Sequence, residues 1–526
     1  MNWWENAVGY EVYIRSFADS NDDGIGDFDG LTERLHHLAE LGVDVVWVTP
    51  FYPSPQADFG YDVSDYTAID AVYGDMAAFD RFQARAQELG LRVMIDLVPN
   101  HTSSQHHWFQ KALADPASPE RDYYIFRPAA PDGGPPNNWR SHFGGSAWTL
   151  DERSGEYYLH LFHRDQPDLD WSNPAVRDRF DAILGFWMDR GVDGFRVDVA
   201  HALMKDEELK DNPQILPLPD DATPNEAMAA FEHIHDHSQD STKEIFARWK
   251  SLPGGADTFL LGEVYVLDVE KSASYMEIGG LDLCLFFGLN RRDWDAAGFM
   301  GEIRSWSLAS KPGFAWTISS HDEKRPVTRF GGGDLGRARA LSIWTLFCSL
   351  PGVPFMYQGE ELGLEDGHVA PEHIQDPVGL AAYHESRDFA RTPMPWDASE
   401  NNGFTAGQPW IVSSPRPAED TVAHQRSDPD SFFHLFQELL ALRKRLGEQR
   451  QGGVEWLPTP SGIGLVLTGS VTTLANLTDE AAEVELPAGD WSLEFDTTRR
   501  QPEVHSGTVE IPPASARVYT ATRPIP

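Results

Sequence analysis

The stretch Gly194-Phe-Arg-Val-Asp-Val-Ala200 interrupts an apolar strand with two opposite charges. Residues two apart on a strand share a face, so Arg196 and Asp198 enter one polar site while Phe195, Val197 and Val199 pack on the other side. Taken alone, an Arg-x-Asp reads as a structural ion pair, since such pairs perturb ionisation without doing chemistry. Its company changes that reading. Four further runs turn abruptly from apolar to reactive: Val93-Met-Ile-Asp-Leu-Val-Pro-Asn-His101, Phe259-Leu-Leu-Gly-Glu-Val-Tyr265, Trp316-Thr-Ile-Ser-Ser-His-Asp322 and Val353-Pro-Phe-Met-Tyr-Gln-Gly-Glu360. If these runs are parallel strands, their carboxyl ends meet at one rim, which is where α/β folds place ligands.

The elements needed to hold such a rim are legible in order. A first strand (Val8 to Ile14), a helix from Leu31 to Leu41, a strand from Val43, a helix from Asp75 to Leu89 and the run from Val93 alternate at the spacing of parallel βα units. From 101 to 171 the rhythm breaks into Pro, Gly, Asn and aromatics, which predicts a small irregular domain inserted after strand three. The pattern resumes with the helix from Pro174 to Arg190 and a long loop from Ala200 to His237. Strands six, seven and eight are expected at Leu281 to Phe287, Ala315 to Ser320 and Val353 to Tyr357, and a last helix at Asp430 to Leu446. After Gln451, short alternating strands predict a C-terminal antiparallel β-sandwich over 451–526, leaving 1–100 and 172–450 as the α/β domain.

Composition narrows the function classes. A chain of 526 residues builds a large core without disulfides, and its only cysteines, Cys284 and Cys348, read as buried thiols. A formal net charge of −40 argues against nucleic acid and anionic membrane as partners and for a neutral small molecule. Neither a signal peptide nor a run of membrane length is evident, so a cytoplasmic enzyme is expected.

The loop Asp19-Ser-Asn-Asp-Asp-Gly-Ile-Gly-Asp27 predicts a metal site. Oxygen donors at Asp19, Asn21, Asp23 and Asp27, with the Ile25 carbonyl, alternate as in the first half of an EF-hand loop, although Gly30 stands where the final Glu would be. So many carboxylates in one turn would repel one another without a cation. Calcium is expected, with magnesium as the alternative and no organic cofactor.

Together these motifs resemble glycoside hydrolase family thirteen, the α-amylase family. The residues carrying the resemblance are Asp62 in Gly-Tyr-Asp, His101 in Pro-Asn-His, Arg196 and Asp198 in Gly-Phe-Arg-Val-Asp, Glu263 in Gly-Glu-Val, and His321-Asp322. Gln166-Pro-Asp-Leu-Asp-Trp171 and Ala390-Arg-Thr-Pro-Met-Pro-Trp396 are similar to its oligo-1,6-glucosidase and α-glucosidase branch. The resemblance implies a (β/α)8 TIM barrel and retaining hydrolysis of α-glucosidic bonds. It makes Asp198 the nucleophile, Glu263 the acid/base and Asp322 the carboxylate that steadies the transition state. His101 and His321 would donate to sugar hydroxyls, and Asp62 would pair with Arg391 at the blind end of an exo-acting pocket. Arg196 is expected to keep Asp198 ionised, while apolar sequence neighbours raise Glu263.

Some positions depart from the family pattern: Ser320 before His-Asp, Asp170 and Phe389. Val199 resembles enzymes cutting α-1,6 bonds, whereas Ala200-His-Ala-Leu-Met-Lys205 looks like α-glucosidases of maltose type. A general α-glucosidase is expected, with oligo-1,6-glucosidase and transglucosylase or sucrose isomerase as alternatives on the same residues. A non-catalytic binding subunit is the remote alternative, disfavoured because the carboxylate set is present.

Overall fold

A computed structural model describes residues 2–277, 280–290, 292–310, 312–450, 452–500 and 503–522. Gln451, where the sandwich was expected to begin, lies outside them. Eight parallel strands form the centre: β1 (Gly9–Val12), β2 (Val45–Val48), β3 (Arg92–Leu97), β4 (Gly194–Val197), β5 (Phe259–Gly262), β6 (Leu283–Cys284), β7 (Phe314–Trp316) and β8 (Gly352–Tyr357). The ladder runs β7-β8-β1-β2-β3-β4-β5-β6, and a parallel bridge from Leu285 to Ala315 closes β6 onto β7. This is a (β/α)8 barrel. Its strands are buried almost throughout, as expected of a parallel sheet covered by helices on one side and filled by its own side chains on the other.

Several expected elements are shorter than their apolar runs. β6 and β7 keep only two and three ladder residues, because the backbone beyond them turns to local partners at the rim. Thr317 Oγ1, for example, donates to the Ser319 carbonyl at 2.6 Å. The first helix, Phe28–Leu41, starts before Leu31 because Asp27 caps it, accepting from Gly30 N.

The segment between β3 and β4 is more regular than its composition indicated. It carries a helix, His107–Ala114, and an antiparallel sheet of Phe126–Pro128, Glu156–Leu159 and Trp148–Asp151, with Glu156–Leu159 in the middle. Lys205, 8% exposed, ties it to the barrel. Its ammonium bonds Asn100 Oδ1 at 2.8 Å and pairs with Asp168 Oδ2 at 2.9 Å. The loop after β4 also contains a short helix, Pro224–Ala229, started by a Thr223/Glu226 capping box.

The C-terminal strands form a six-stranded and a two-stranded antiparallel sheet, whose inner faces share a core of Leu465, Leu474, Val484, Trp491, Val509 and Tyr519. They dock on the barrel helix Gly333–Ser349, where Arg339 pairs with Asp479 at 2.6 Å. Both cysteines are buried free thiols. No helix among the described residues is long and apolar enough to cross a membrane.

Candidate active site

The carboxyl ends of β3, β4 and β5 converge on one guanidinium. Arg196 is 2% exposed and bonds Asp96 at 2.6 Å, Asp198 at 2.7 Å and Glu263 at 3.0 Å. Asp96 is held in turn by the Trp47 indole at 2.8 Å and the Tyr61 hydroxyl at 3.2 Å. Pairing offsets the cost of burying these charges, although Arg196 Nε is left without a partner. Here the surrounding donors fix Asp96, which fixes Arg196, which fixes the spacing of Asp198 and Glu263. Val199, next in chain, has φ +44° and donates its N–H to Glu263 at 2.9 Å. A β-branched residue in that region is strained, and the strain sits beside the reacting carboxylates.

The ionisation balance differs from expectation. Burial raises Asp198 well above the usual carboxylate range; Arg196 opposes this, while the Glu263 charge and a hydrogen bond with Glu263 add to it. Burial and Arg196 thus act on Asp198 in opposite directions. The two carboxyls share one guanidinium.

Asp322, following β7, has the opposite environment. It is half-buried, its side chain 28% exposed, and cationic neighbours outweigh the cost of desolvation and hold its carboxyl well below the usual range. Arg391 donates to it at 2.7 Å, Arg387 lies at 3.2 Å, and His321 Nε2 faces it at 3.2 Å. Burial pushes the His321 imidazole down to about 3, so at neutral pH it is uncharged and the two arginines hold Asp322 ionised. The His321 ring stacks between Tyr13 (5.5 Å, 9°) and Tyr61 (5.3 Å, 6°), and its Nδ1 bonds Glu11 at 2.5 Å.

Two proposed partners are not partners. Asp62 accepts from Ser54 Oγ at 2.7 Å and from the N–H groups of Ala57 and Asp58 at 3.0 Å each, so it shapes the 54–62 loop and does not meet Arg391. Arg391 instead bonds Asp322 and, at 2.8 Å, the His321 carbonyl. The pair that joins these two segments is Asp58–Arg387, at 2.9 Å, each four positions earlier in the chain. Arg387 also bonds the fully buried Asp376 at 2.7 Å and lies beneath the Phe143 ring of the inserted segment. Both residues stand in motifs visible in the sequence, but nothing in loop spacing says which acid of Asp-Phe-Gly-Tyr-Asp points inward. His101 is also more committed than expected. Asn100 Nδ2 donates to its Nδ1 at 3.2 Å, leaving Nε2–H for the Tyr61 carbonyl at 3.1 Å, with Gln166 also at 3.1 Å. A sugar hydroxyl would have to share those contacts.

Residues 11–452 match the alpha amylase catalytic domain. The chain belongs to the α-amylase family. It is 38% identical over 506 residues to a probable alpha-glucosidase of Rhizobium meliloti, covering 92% of this chain and 91% of that protein. It is 39% identical to the oligo-1,6-glucosidase of Parageobacillus thermoglucosidasius over 84% of each. Among solved structures, an alpha-glucosyl transfer enzyme, XgtA, superposes with a TM-score of 0.91 at 36% identity, covering 99% of this chain and all (100%) of that one. A trehalulose synthase from Pseudomonas mesoacidophila superposes at 0.87 and 31% identity over 99% of this chain and 100% of its own.

The acidic loop of this α-amylase family member curls around its own side chains. Asp19 accepts from the N–H groups of Asn21 and Asp22 at 2.9 Å and of Gly24 at 2.7 Å; Asn21 accepts from Asp23 N, and Asp23 from Ile25 N, each at 2.9 Å. Asp27 is engaged with Ser20 and Gly30. The loop packs on the 404–410 segment so closely that a Cβ on Gly24 (φ +88°) would fall 1.9 Å from the Gln408 carbonyl oxygen.

Two outcomes follow from the wiring. Replacing Arg387 with Ala strands Asp58 and Asp376 without their shared cation, so kcat/KM on a disaccharide should fall by about 30-fold or more, the cost of truncating a buried charge pair; a loss under threefold would mean the clamp is dispensable. For His321, the unfolded ring titrates near 6.5 and the folded one at about 3. Its contribution to stability is thus complete above about pH 6.5 and lost as the pH falls toward the folded value. Relative to His321→Gln, the wild-type unfolding free energy should drop by about 1.4 kcal/mol per pH unit between about pH 6 and 4. Parallel pH profiles in denaturant titrations would contradict this.

Proposed function

We propose that the protein is a retaining, exo-acting α-glucosidase that removes terminal non-reducing glucose from short α-linked oligosaccharides. The observation that carries this reading is the placement of Asp198 and Glu263 on one guanidinium, at 2.7 and 3.0 Å. Inverting enzymes need their carboxyls farther apart to admit a water, whereas double displacement needs them close. Asp198 Oδ attacks the anomeric carbon while Glu263 gives its proton to the leaving oxygen, forming a glucosyl–Asp198 ester. Glu263 then takes a proton from water, which attacks the same carbon and frees Asp198. Asp322, kept anionic by Arg387 and Arg391, faces the sugar hydroxyls and the positive charge that develops on the ring.

The exo mode is supported by the Asp58–Arg387–Asp322 bridge, which ties the loop after β2 to the excursion after β8. Similarity to both glucosidases and glucosyl-transfer enzymes makes transglucosylation the second reading, decided by how well the leaving-group side excludes water. The anomeric proton of glucose released from maltose and from isomaltose, followed by NMR from the first time points, tests all of this. Initial α-glucose is expected, the faster substrate fixing the linkage preference. Initial β-glucose would overturn the mechanism, and oligosaccharide products in place of free glucose would establish the transfer reading.

We further propose that the 19–27 loop holds calcium. Its side-chain oxygens accept from the loop's own N–H groups, and three carboxylates in one turn favour a hard cation. Magnesium is the alternative occupant. Bound there, the ion would crosslink the loop that braces the 404–410 segment, remote from bond cleavage. Saturation at 100 times Kd should add about 2.7 kcal/mol of stability. A melting temperature identical in excess calcium and in excess chelator would dismiss the site. With a neutral small-molecule substrate, a cytoplasmic setting fits best.

A further inference from the structure

The loop after β4 gathers histidines that no step above uses. His233, Asp236 and His237 each offer a ligand atom, and these atoms lie within 4.8 Å of one another. Asp236 is fully buried (0% exposed) and its carboxylate sits between two imidazoles, with His233 Nδ1 at 2.8 Å and His237 Nδ1 at 3.4 Å. Two ligands of a tetrahedral zinc, each about 2.0–2.2 Å from the metal, stand roughly 3.3–3.5 Å apart. The observed separations bracket the lower side of that range.

Hydrogen-bond logic points the same way. His233 Nε2 lies 3.0 Å from the Met228 carbonyl, which can only accept, so Nε2 carries the proton and Nδ1 turns a lone pair toward Asp236. A lone pair and a carboxylate oxygen at that distance need a cation between them, whether a proton or a metal. Asp236 Oδ1 is buried with no hydrogen-bond partner, and native structures rarely leave such an atom unsatisfied. The neighbouring His235 is different: it turns away to Asp206.

We propose that His233, Asp236 and His237 form a zinc site, with solvent entering on the His233 side, where that side chain is 21% exposed, to supply the fourth ligand. Two imidazoles and one carboxylate suit zinc, where calcium and magnesium take oxygen alone. The occupied site would fasten the 200–240 loop at the catalytic rim. The His237 ring lies 5.0 Å from that of His201, and His201 Nδ1 lies 3.3 Å from the Glu263 carbonyl.

The full chain, stripped with chelator and kept in millimolar calcium to fill the oxygen-only loop, is titrated with zinc chloride by calorimetry. One zinc per chain is expected, at least tenfold weaker in His237→Ala and in His233→Gln and unchanged in His235→Ala and Asp19→Asn. X-ray absorption of the one-zinc sample should report a shell of nitrogen and oxygen at about 2.0–2.1 Å with imidazole scattering. His233→Gln carries the comparison if His237→Ala does not fold by circular dichroism, because His233 is the more exposed of the two. Absence of stoichiometric zinc in the wild type, or binding that survives both histidine substitutions, would overturn the proposal.

Discussion

The active centre hangs on the Arg196 guanidinium. Three carboxylates from three adjacent strands or their ends compete for it, and none would be stable at this depth without it. The parallel ladder supplies the coarse position: Asp96 pairs with Arg196 in register, and Arg196 with Leu261 two residues before Glu263. The ion pairs supply the fine one. Asp96 is buried and shares Arg196 Nη1 with Asp198, and its role is to position: it aims the cation that the other two carboxyls also bond.

A second cation does comparable work at the opposite wall. Arg387 gathers Asp58, Asp376 and Asp322 from three loops that share no backbone ladder. The two arginines produce opposite electrostatics: one serves carboxyls that burial pushes up, while the other, with Arg391, keeps a carboxyl ionised despite partial burial. Acid/base chemistry and charge stabilisation thus occupy one pocket without exchanging roles.

What the sequence disclosed divides along the same line. Asp198 and Glu263 were legible as rim residues because strand periodicity decides which face a residue takes and a strand that turns polar at its end announces a rim, whereas Asp322, in the loop beyond the end of β7, came with the family resemblance. Asp58 and Arg387 were not, and Asp62 and Arg391 took their place, because loop direction is fixed by contacts such as Ser54 to Asp62 that no periodicity encodes. The sheet in the inserted segment was hidden by its Pro and Gly content, its strands being only three or four residues long. The ends of β6 and β7 were over-extended because apolar character continues past the last ladder bond.

The closure of the barrel has a consequence for how substrate is gripped. From β7 through β8 and β1 to β5 the strands are joined by ladders of three or more registered residues, but β5 to β6 has two and β6 to β7 a single bridge. The cylinder is mechanically a rolled ribbon held by a latch. Asp198 and Glu263 lie on the continuous side, whereas Glu263 and Asp322 face each other across the latch. A distortion of that seam would shift Asp322 relative to Glu263 without passing through the ladder that joins the strands of Asp198 and Glu263.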